Sequence, residues 1–459
     1  MFEFGKELRR LFSGDGGFRF PQDGLTGGDA GLLELLDLRL LQNEGRASDA
    51  AAGRVSAKDR AQRLLESAIV WREIARRGGD AAALRKAAAL AETAAEAFDR
   101  NRRPDGWARA RCEQAFCAML GAELFGDEGL TAAAEVAFRE ARAAARGGLA
   151  APLADVGVAS IEGRRRLPHG DAQAARIAAA RFTGPITALQ SLIRRCSAAR
   201  LLLAEARVLR ADLLAGWGAR LKDRDLLRMA LDEANQARSG LDADYEPLTF
   251  ARIGVLRGQI MALLGEATGE IETIADGAEA IAAVVDELHR DHSPLDWGRS
   301  QWALGQAVQI LAEASASERA YERAIICYER ADHVFKRIPS LALRAVAASN
   351  RALCLARSAE LTGDLGVLDA AEAAFKIELT TRQPRHDPVG WALAQVNLAR
   401  VYEARMEITG RDNGERTAAA TALTAAFDVF AEEGLRTFSL IAIEALERLR
   451  GASPSARPA

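Results

Sequence analysis

Histidine and cysteine are the side chains of this chain best suited to metal or redox chemistry. His289 and His292 are three residues apart, a spacing that could begin a metal site, but no further ligand stands near them in the sequence. The five cysteines contain no CxxC pair, and Cys112 and Cys117 would point about 140° apart on a helix. We therefore interpret the histidine pair as part of a solvated loop and the cysteines as buried thiols in a reducing compartment.

The sequence signatures of several enzyme classes are missing. The chain contains no GxxxxGK[ST] phosphate loop, no HExxH or GxSxG motif, and no GxGxxG placed after a strand. The densest basic cluster, Arg164 to Arg166, is interpreted as a solvated loop. We therefore predict that the protein is not an enzyme and binds no metal or cofactor. An enzyme with a site in the irregular middle third of the chain is the least favoured alternative.

Polar side chains that recur in phase with the helices are the candidate partner-binding residues. Each of three arginines falls two residues after an aromatic residue, about 200° around the helix, so it points off the packing face. Asn350 and Asn397 are 47 residues apart. A ladder of Asn amides suits the backbone of an extended peptide, since each amide donates and accepts hydrogen bonds. These amides could instead cap helices or satisfy interior carbonyls. The full candidate set is Arg109, Arg252, Arg299, Gln301, Asn350, Gln395 and Asn397.

An internal repeat predicts the elements that position these residues. The motif Pro-x-x-aromatic-small recurs with its aromatic residue at Trp107, Phe250, Trp297 and Trp391. Phe250 and Trp297 are 47 positions apart, Trp297 and Trp391 are 94, and Trp107 and Phe250 are 143, close to three periods. A fixed period of this length is typical of repeat architectures. We interpret the four aromatic residues as structural anchors of successive units.

A second landmark keeps the same period. Gly126, Gly269, Gly363 and Gly410 each stand after a helical run, and three of them fall 22 residues after the motif proline. Proline is tolerated at the first position of a helix, whereas glycine just past the last turn takes the left-handed conformation that ends one. Each unit is therefore predicted to be a helix, a tight turn and a second helix.

The predicted fold class is an all-α solenoid of stacked helical hairpins with a period of about 47 residues. In the last unit, Trp391, Ala394, Leu398 and Val401 fall on one helix face, and a lone hairpin cannot bury such a stripe. About eight hairpins are expected over residues 56–435, irregular near 151–240. Residues 1–55 are expected to form an amphipathic segment, a Gly-rich linker and a short helix, and residues 436–459 a capping helix and a disordered tail.

The motif residues resemble a known family. Pro294-Leu295-Asp296-Trp297 with Gln301, and Pro388-Val389-Gly390-Trp391-Ala392 with Gln395 and Asn397, are similar to the long-period tetratricopeptide-like (TPR-like) repeats of bacterial proteins. This resemblance implies a right-handed solenoid with a scaffolding or peptide-binding role.

Composition limits the remaining possibilities. The 459 residues have a net charge of -3, so the clustered positive charge of a general nucleic-acid binder is absent. No apolar run approaches the roughly 18 residues of a membrane-spanning helix, and we expect a cytoplasmic protein. We predict a non-enzymatic adaptor that grips a protein or peptide partner in its groove. The alternative is a regulatory factor whose basic amphipathic residues 1–12 contact the inner membrane surface.

Overall fold

The computed structural model describes residues 30–54, 57–196, 198–338, 340–381, 384–385 and 387–451, which form helices and no β-strand. In chain order the helices are α1 (Ala30–Leu33), α2 (Leu38–Arg54), α3 (Ala57–Gly78), α4 (Ala81–Phe98), α5 (Pro104–Phe125), α6 (Glu128–Ala144), α7 (Ala150–Arg166), α8 (Ala172–Ala180), α9 (Thr183–Leu192), α10 (Ala198–Leu221), α11 (Arg224–Ser239), α12 (Pro247–Thr268), α13 (Ile271–Glu287), α14 (Pro294–Ser315), α15 (Glu318–Phe335), α16 (Leu341–Thr362), α17 (Leu365–Thr381), α18 (Pro388–Thr409), α19 (Glu415–Glu432) and α20 (Arg436–Gly451). The predicted amphipathic segment 1–12 and the tail 452–459 lie outside the described residues.

The helices pair into hairpins in which a first helix, called helix A, is followed after a short turn by helix B. The A helices that begin at a motif proline are 22 residues long. The complete hairpins are α3 with α4, α5 with α6, α10 with α11, α12 with α13, α14 with α15, α16 with α17, and α18 with α19. This arrangement confirms the predicted class, an all-α solenoid of TPR-like hairpins.

One hairpin, between residues 150 and 192, departs from this pattern. Its first helix, α7, has 17 residues, and its second is replaced by the short helices α8 and α9. Pro168 follows α7 closely, and a proline lacks the N–H that a continuing helix would use. Pro185 lies in the first turn of α9, where that N–H is not needed. The wholly buried Phe182 fills the junction between α8 and α9.

The chain divides into two compact units. Unit 1 contains the described residues of Met1–Ala307 and His333–Leu343, and unit 2 those of Val308–Asp332 and Arg344–Ala459. The main core of unit 1 runs from α5 to α12 and includes the wholly buried Phe138, Phe182 and Trp217. In unit 2, Phe375 and Phe430 are the largest side chains at the centres of two separate clusters. Each cluster joins neighbouring hairpins, as a solenoid requires.

Helix α12 is the one helix of the described residues that is long and apolar enough, by length and composition, to cross a bilayer. It packs on α10, α11 and α13 within unit 1, and half of its most apolar stretch is buried there.

In each complete hairpin, the residue that follows helix A has a left-handed backbone conformation. The four predicted glycines have φ between 65° and 75°, and Gly79 after α3 has φ 67°. Lys222 after α10 and Ala316 after α14 occupy the same position, each one period of 47 residues before a glycine, Gly269 and Gly363 respectively, with φ 51° and 47°. A side chain in this conformation is strained because its Cβ crowds the following carbonyl oxygen. Ala316 is therefore a site of local strain in unit 2.

We expect Ala316→Gly to raise the free energy of unfolding of the protein by about 1 kcal/mol, because glycine removes the Cβ from a left-handed position. The reverse change, Gly363→Ala, supplies the matched control. A Cβ at Gly363 would meet no atom within 4 Å, so it adds backbone strain alone and should cost about 1 kcal/mol. Urea denaturation of the three proteins measures both effects, and shifts of the same sign would contradict the interpretation.

Candidate functional site

The register position two residues after the anchor position, which is Arg344 in α16 and Phe438 in α20, changes character along the chain. In unit 1 it is occupied by Arg109, Arg252 and Arg299, and in unit 2 by apolar residues at successive steps of 47. Val346 in α16 is 39% exposed, Leu393 in α18 is 36% exposed, and Leu440 in α20 is 58% exposed. The same register position is therefore charged in unit 1 and apolar and exposed in unit 2.

Arg252 lies in a buried ion-pair network. Its Nε is 3.0 Å from Asp296 Oδ1, and its Nη2 is 2.6 Å from Asp296 Oδ2 and 3.4 Å from Glu73 Oε1. Burial alone would raise the pKa of Asp296, but the charge and hydrogen bonds of Arg252 hold it below its usual range. Arg77 and Arg252 lower the pKa of Glu73 in the same way, against the opposing effect of burial.

The network holds the chain's own N-terminal segment, residues 33–36. The Arg77 side chain is wholly buried; its Nη2 donates to Leu33 O at 2.8 Å and its Nη1 to Leu36 O at 2.7 Å. The Glu34 carboxylate accepts hydrogen bonds from the backbone N–H of Thr249, at 2.8 Å, and from its hydroxyl. The backbone of this segment is therefore bound by the Arg77 side chain of α3, and its carboxylate by the backbone and side chain of Thr249 of α12, much as a peptide ligand would be.

His292 also contacts this segment. Its Nε2 lies 2.6 Å from Glu34 O, and the ring is half-buried, so the residue is not the solvated loop histidine that we expected. Burial lowers the pKa of His292, with the opposing effect of the bond to Glu34 being smaller. Burial has the opposite effect on the carboxyl group of Glu34, whose pKa it raises.

The space left inside this network is small. A cavity of about 40 Å³ is lined by Glu34, Glu73, Arg72, Arg76 and Glu205, among others. That volume is enough for about one water molecule. The concentration of charge therefore resembles an active site, but the cavity has no room for a substrate, and we interpret its charges as positioning the N-terminal segment.

The other two in-phase arginines have different surroundings. Arg299 Nη2 is 2.7 Å from Glu123 Oε1. Arg109 lines the small charged cavity as well, and its one ion pair within 4.0 Å among the described residues is with Glu113, whose Oε2 is 3.9 Å from Arg109 Nη1. Glu113 itself is bonded to the guanidinium of Arg72. The partner-binding role of the three arginines stays a prediction, with Arg252 and Arg299 placed in ion pairs of unit 1.

The predicted amides are divided between the units. Gln301 in unit 1 is 1% exposed, and its Oε1 has no hydrogen-bond partner among the described residues. In unit 2, Asn350 is half-buried beside the Tyr328 hydroxyl, which donates to Gln309 Oε1 at 2.8 Å; burial raises the pKa of that hydroxyl well above its usual value. Gln395 and Asn397 are half-buried on α18. The binding role of these amides stays a prediction.

A pocket of about 430 Å³ opens in unit 2 between α16, α18 and α20. Its polar lining is Glu360, Arg400, Glu403, Glu407 and Arg448. Arg400 Nε donates to Glu360 Oε1 at 2.9 Å, and Arg448 Nη2 is 3.6 Å from Glu403 Oε2. Burial raises the pKa of both Glu360 and Glu403, with the opposing arginine charges being weaker. The pocket shows that α16, α18 and α20 are neighbours in unit 2.

The aromatic anchors are half-buried and three of them face a guanidinium. Arg100 lies 4.8 Å from the Trp107 ring centroid, Arg238 lies 4.2 Å from that of Phe250, and the Trp297 ring has a similar partner in Arg290, at 5.5 Å. Such cation–π contacts stabilise exposed aromatic faces by about 0.5–1 kcal/mol. Trp391 instead packs against the Phe430 cluster. Sequence reasoning missed these arginines, although Arg100 and Arg290 each stand seven residues before their tryptophan.

The described residues contain no group of three or more His, Cys, Asp or Glu side chains placed to hold a metal ion. Four of the five cysteines are buried, and burial raises the pKa of the Cys112 thiol to about 12.

Comparisons with known proteins add similarities of fold. No protein-family model and no curated protein matches the chain. Among solved structures, the chain is similar to a Rap protein complexed with competence and sporulation factor, at a TM-score of 0.49 and 10% identity over 85% of this chain and 98% of that one. It is similar to aspartyl phosphate phosphatase F from Bacillus subtilis at a TM-score of 0.37 and 14% identity, over 86% and 95% of the two chains. For a circular tandem repeat protein with a novel repeat topology the TM-score is 0.25 and the identity 16%, over 92% and 93%. Similarities at this level assign no activity or partner to the chain.

Proposed function

We propose that the protein is a non-enzymatic adaptor that binds an extended segment of a partner protein across α16, α18 and α20 of unit 2. The observation that supports this proposal is the exposed apolar row Val346, Leu393 and Leu440, repeated once per helix. Exposed apolar side chains that form a patch mark interaction surfaces more often than scattered ones do.

The spacing of the row suits an extended chain. Packed helices lie about 8–10 Å apart, so three neighbouring helices present their apolar side chains at steps of about that length. A polyproline-like chain rises about 3.1 Å per residue, and every third side chain recurs after about 9 Å. The partner is therefore expected to carry an apolar residue at every third position.

Polar groups stand beside the row. Asn350 and Asn397 follow Val346 and Leu393 by four residues, so each amide lies on the same helix face as the apolar side chain before it. Backbone groups of an extended segment have no partners of their own and would be satisfied by such amides.

In unit 1 the corresponding residues Arg252 and Arg299 are already paired with carboxylates of unit 1, which supports placing the partner on unit 2. The alternative membrane role rests on residues 1–12, outside the described part of the chain, and stays a prediction.

A peptide-display selection tests the proposal. The wild-type protein should enrich peptides with an apolar residue at every third position, and Leu393→Glu with Leu440→Glu should weaken binding of a selected peptide by about tenfold or more, because two buried apolar contacts would become charged. Ile326→Glu is the matched control, since Ile326 is 47% exposed but lies on a B helix of unit 2.

Fluorescence anisotropy with the selected peptide compares the three proteins, and circular dichroism checks that each is folded. Equal binding by the wild type and the double variant would exclude this surface. Failure of the wild type to enrich any peptide above background would overturn the proposal.

A further inference from the structure

Arg109 is a largely buried cation whose Nη1 atom lacks a hydrogen bond within the described residues. Its side chain is 11% exposed, and its one ion-pair contact is the 3.9 Å approach to Glu113. The Nη1 atom is buried without a hydrogen-bond partner in the described part of the chain. Arg72 binds the same Glu113 carboxylate more closely, so one negative charge is shared by two guanidinium groups. A buried charge in this state is costly unless another group supplies the missing acceptor.

An apolar cavity lies beside this guanidinium. It has a volume of about 210 Å³, and Arg109 is among its lining residues. Its other side-chain walls are mostly apolar, with Gln62 and Asp105 as the polar residues; the apolar ones are Leu65, Ile69, Leu149, Ala150, Leu192 and Cys196. A mostly apolar pocket with a few polar groups is the usual form of a small-molecule site in proteins.

One edge of the cavity is built by the loop between α6 and α7. Asp105 Oδ1 accepts the backbone N–H groups of Arg146, at 2.7 Å, and Gly147, at 3.0 Å, which fixes the loop against α5. Gly148 follows with φ 63°, a conformation that favours glycine, and a Cβ there would meet no atom within 4 Å. The loop therefore borders the cavity without filling it.

We propose that this cavity binds a small apolar carboxylate, with its carboxylate group on Arg109 and its hydrocarbon part against Leu65, Ile69 and Leu192. The site lies within unit 1 and does not depend on the proposed function of unit 2. At about 30 Å³ for each water-sized group, the volume of about 210 Å³ accommodates roughly seven such groups.

A carboxylate fits better than a phosphate for two reasons. Its single negative charge matches the one under-used guanidinium, whereas a phosphate dianion would leave charge unpaired against apolar walls. Its planar pair of oxygens also matches the forked donors of arginine. Asp105, the acidic residue of the lining, already accepts two backbone hydrogen bonds through Oδ1 and lies at the exposed edge.

Isothermal titration of the full chain with 4-methylpentanoate and with its neutral amide, 4-methylpentanamide, tests the proposal. These probes have the same size and shape and differ in charge. The acid should bind with a dissociation constant of about 1 mM or tighter, and the amide about tenfold or more weakly.

Two variants locate the site. Arg109→Leu should remove the preference for the acid, and Ala150→Leu should abolish binding by filling the cavity while keeping the guanidinium. Arg299→Leu, at the same register position but outside the cavity, is the matched control and should bind like the wild type. If Arg109→Leu does not fold, Ala150→Leu still decides the location.

Equal affinity for acid and amide, unchanged binding by either cavity variant, or no saturable binding of the acid to the wild type would each overturn the proposal.

Discussion

Arg77→Met is expected to lower the free energy of unfolding of unit 1 by about 3–5 kcal/mol, because it leaves buried acceptors without their donor. Three groups lose a bond at once: the carbonyls of Leu33 and Leu36 and the Glu73 carboxylate. Methionine approximates the length of the arginine stem, so lost packing contributes less than lost charge. Urea denaturation followed by tryptophan fluorescence measures the change.

Arg102→Met is the control for this substitution, since the Arg102 side chain is 87% exposed and should tolerate the change within about 0.5 kcal/mol. Hydrogen exchange adds a local readout: amides of residues 33–41 should exchange faster in the Arg77 variant. A loss below about 1 kcal/mol, with unchanged exchange there, would show that the N-terminal segment is not held by this side chain.

Trp217→Ala is expected to cost about 3–5 kcal/mol, because the indole is wholly buried in the main core of unit 1. Its ring fills the space beside Gly170, where any Cβ would collide with it. Trp217→Phe should cost much less, about 1 kcal/mol, since the ring volume is largely retained. The Nε1 atom has no hydrogen-bond partner among the described residues, so phenylalanine removes no bond.

Urea denaturation of the wild type and both Trp217 variants separates the two effects. Because the fluorescence of Trp217 itself is lost, circular dichroism is the suitable signal. Equal costs for alanine and phenylalanine would mean that the indole N–H has a partner, or that the ring does not occupy this space.

The hairpin period was predictable because proline and glycine indicate the start and the end of a helix through local backbone conformation alone. Pro104 and Gly126, like their equivalents, bound a helix wherever they occur at this spacing. Lys222 and Ala316 end helices at the same register without glycine, so no residue type marked these two helix ends. There the surrounding hairpin imposes the left-handed conformation against local preference.

The charged network was not predictable from periodicity. Arg252 keeps its predicted place on the helix, but a phase angle does not say whether that face meets solvent or another part of the chain. Its partner Glu73 is 179 residues away in sequence, and Glu34 and Thr249 are 215 apart. Such pairings depend on how successive hairpins curve, and small changes of packing angle accumulate over several repeats. The exposed row of unit 2 follows from the same period, but only accessibility distinguishes it from the arginines of unit 1.

The distance in sequence between Glu34 and its partners has a consequence for synthesis on the ribosome. Residues 33–36 emerge early, whereas Thr249 and His292 follow 215 and 258 positions after Glu34. At about 5–20 residues per second, the segment waits roughly 10 to 50 s for them. During that interval the Glu34 carboxylate is still hydrated, whereas Arg77 follows Leu33 and Leu36 by 44 and 41 positions and can bond them early. The later hairpins can fold one upon another as they appear. The Glu34 carboxylate, although translated early, is thus among the last groups of unit 1 to reach its final place.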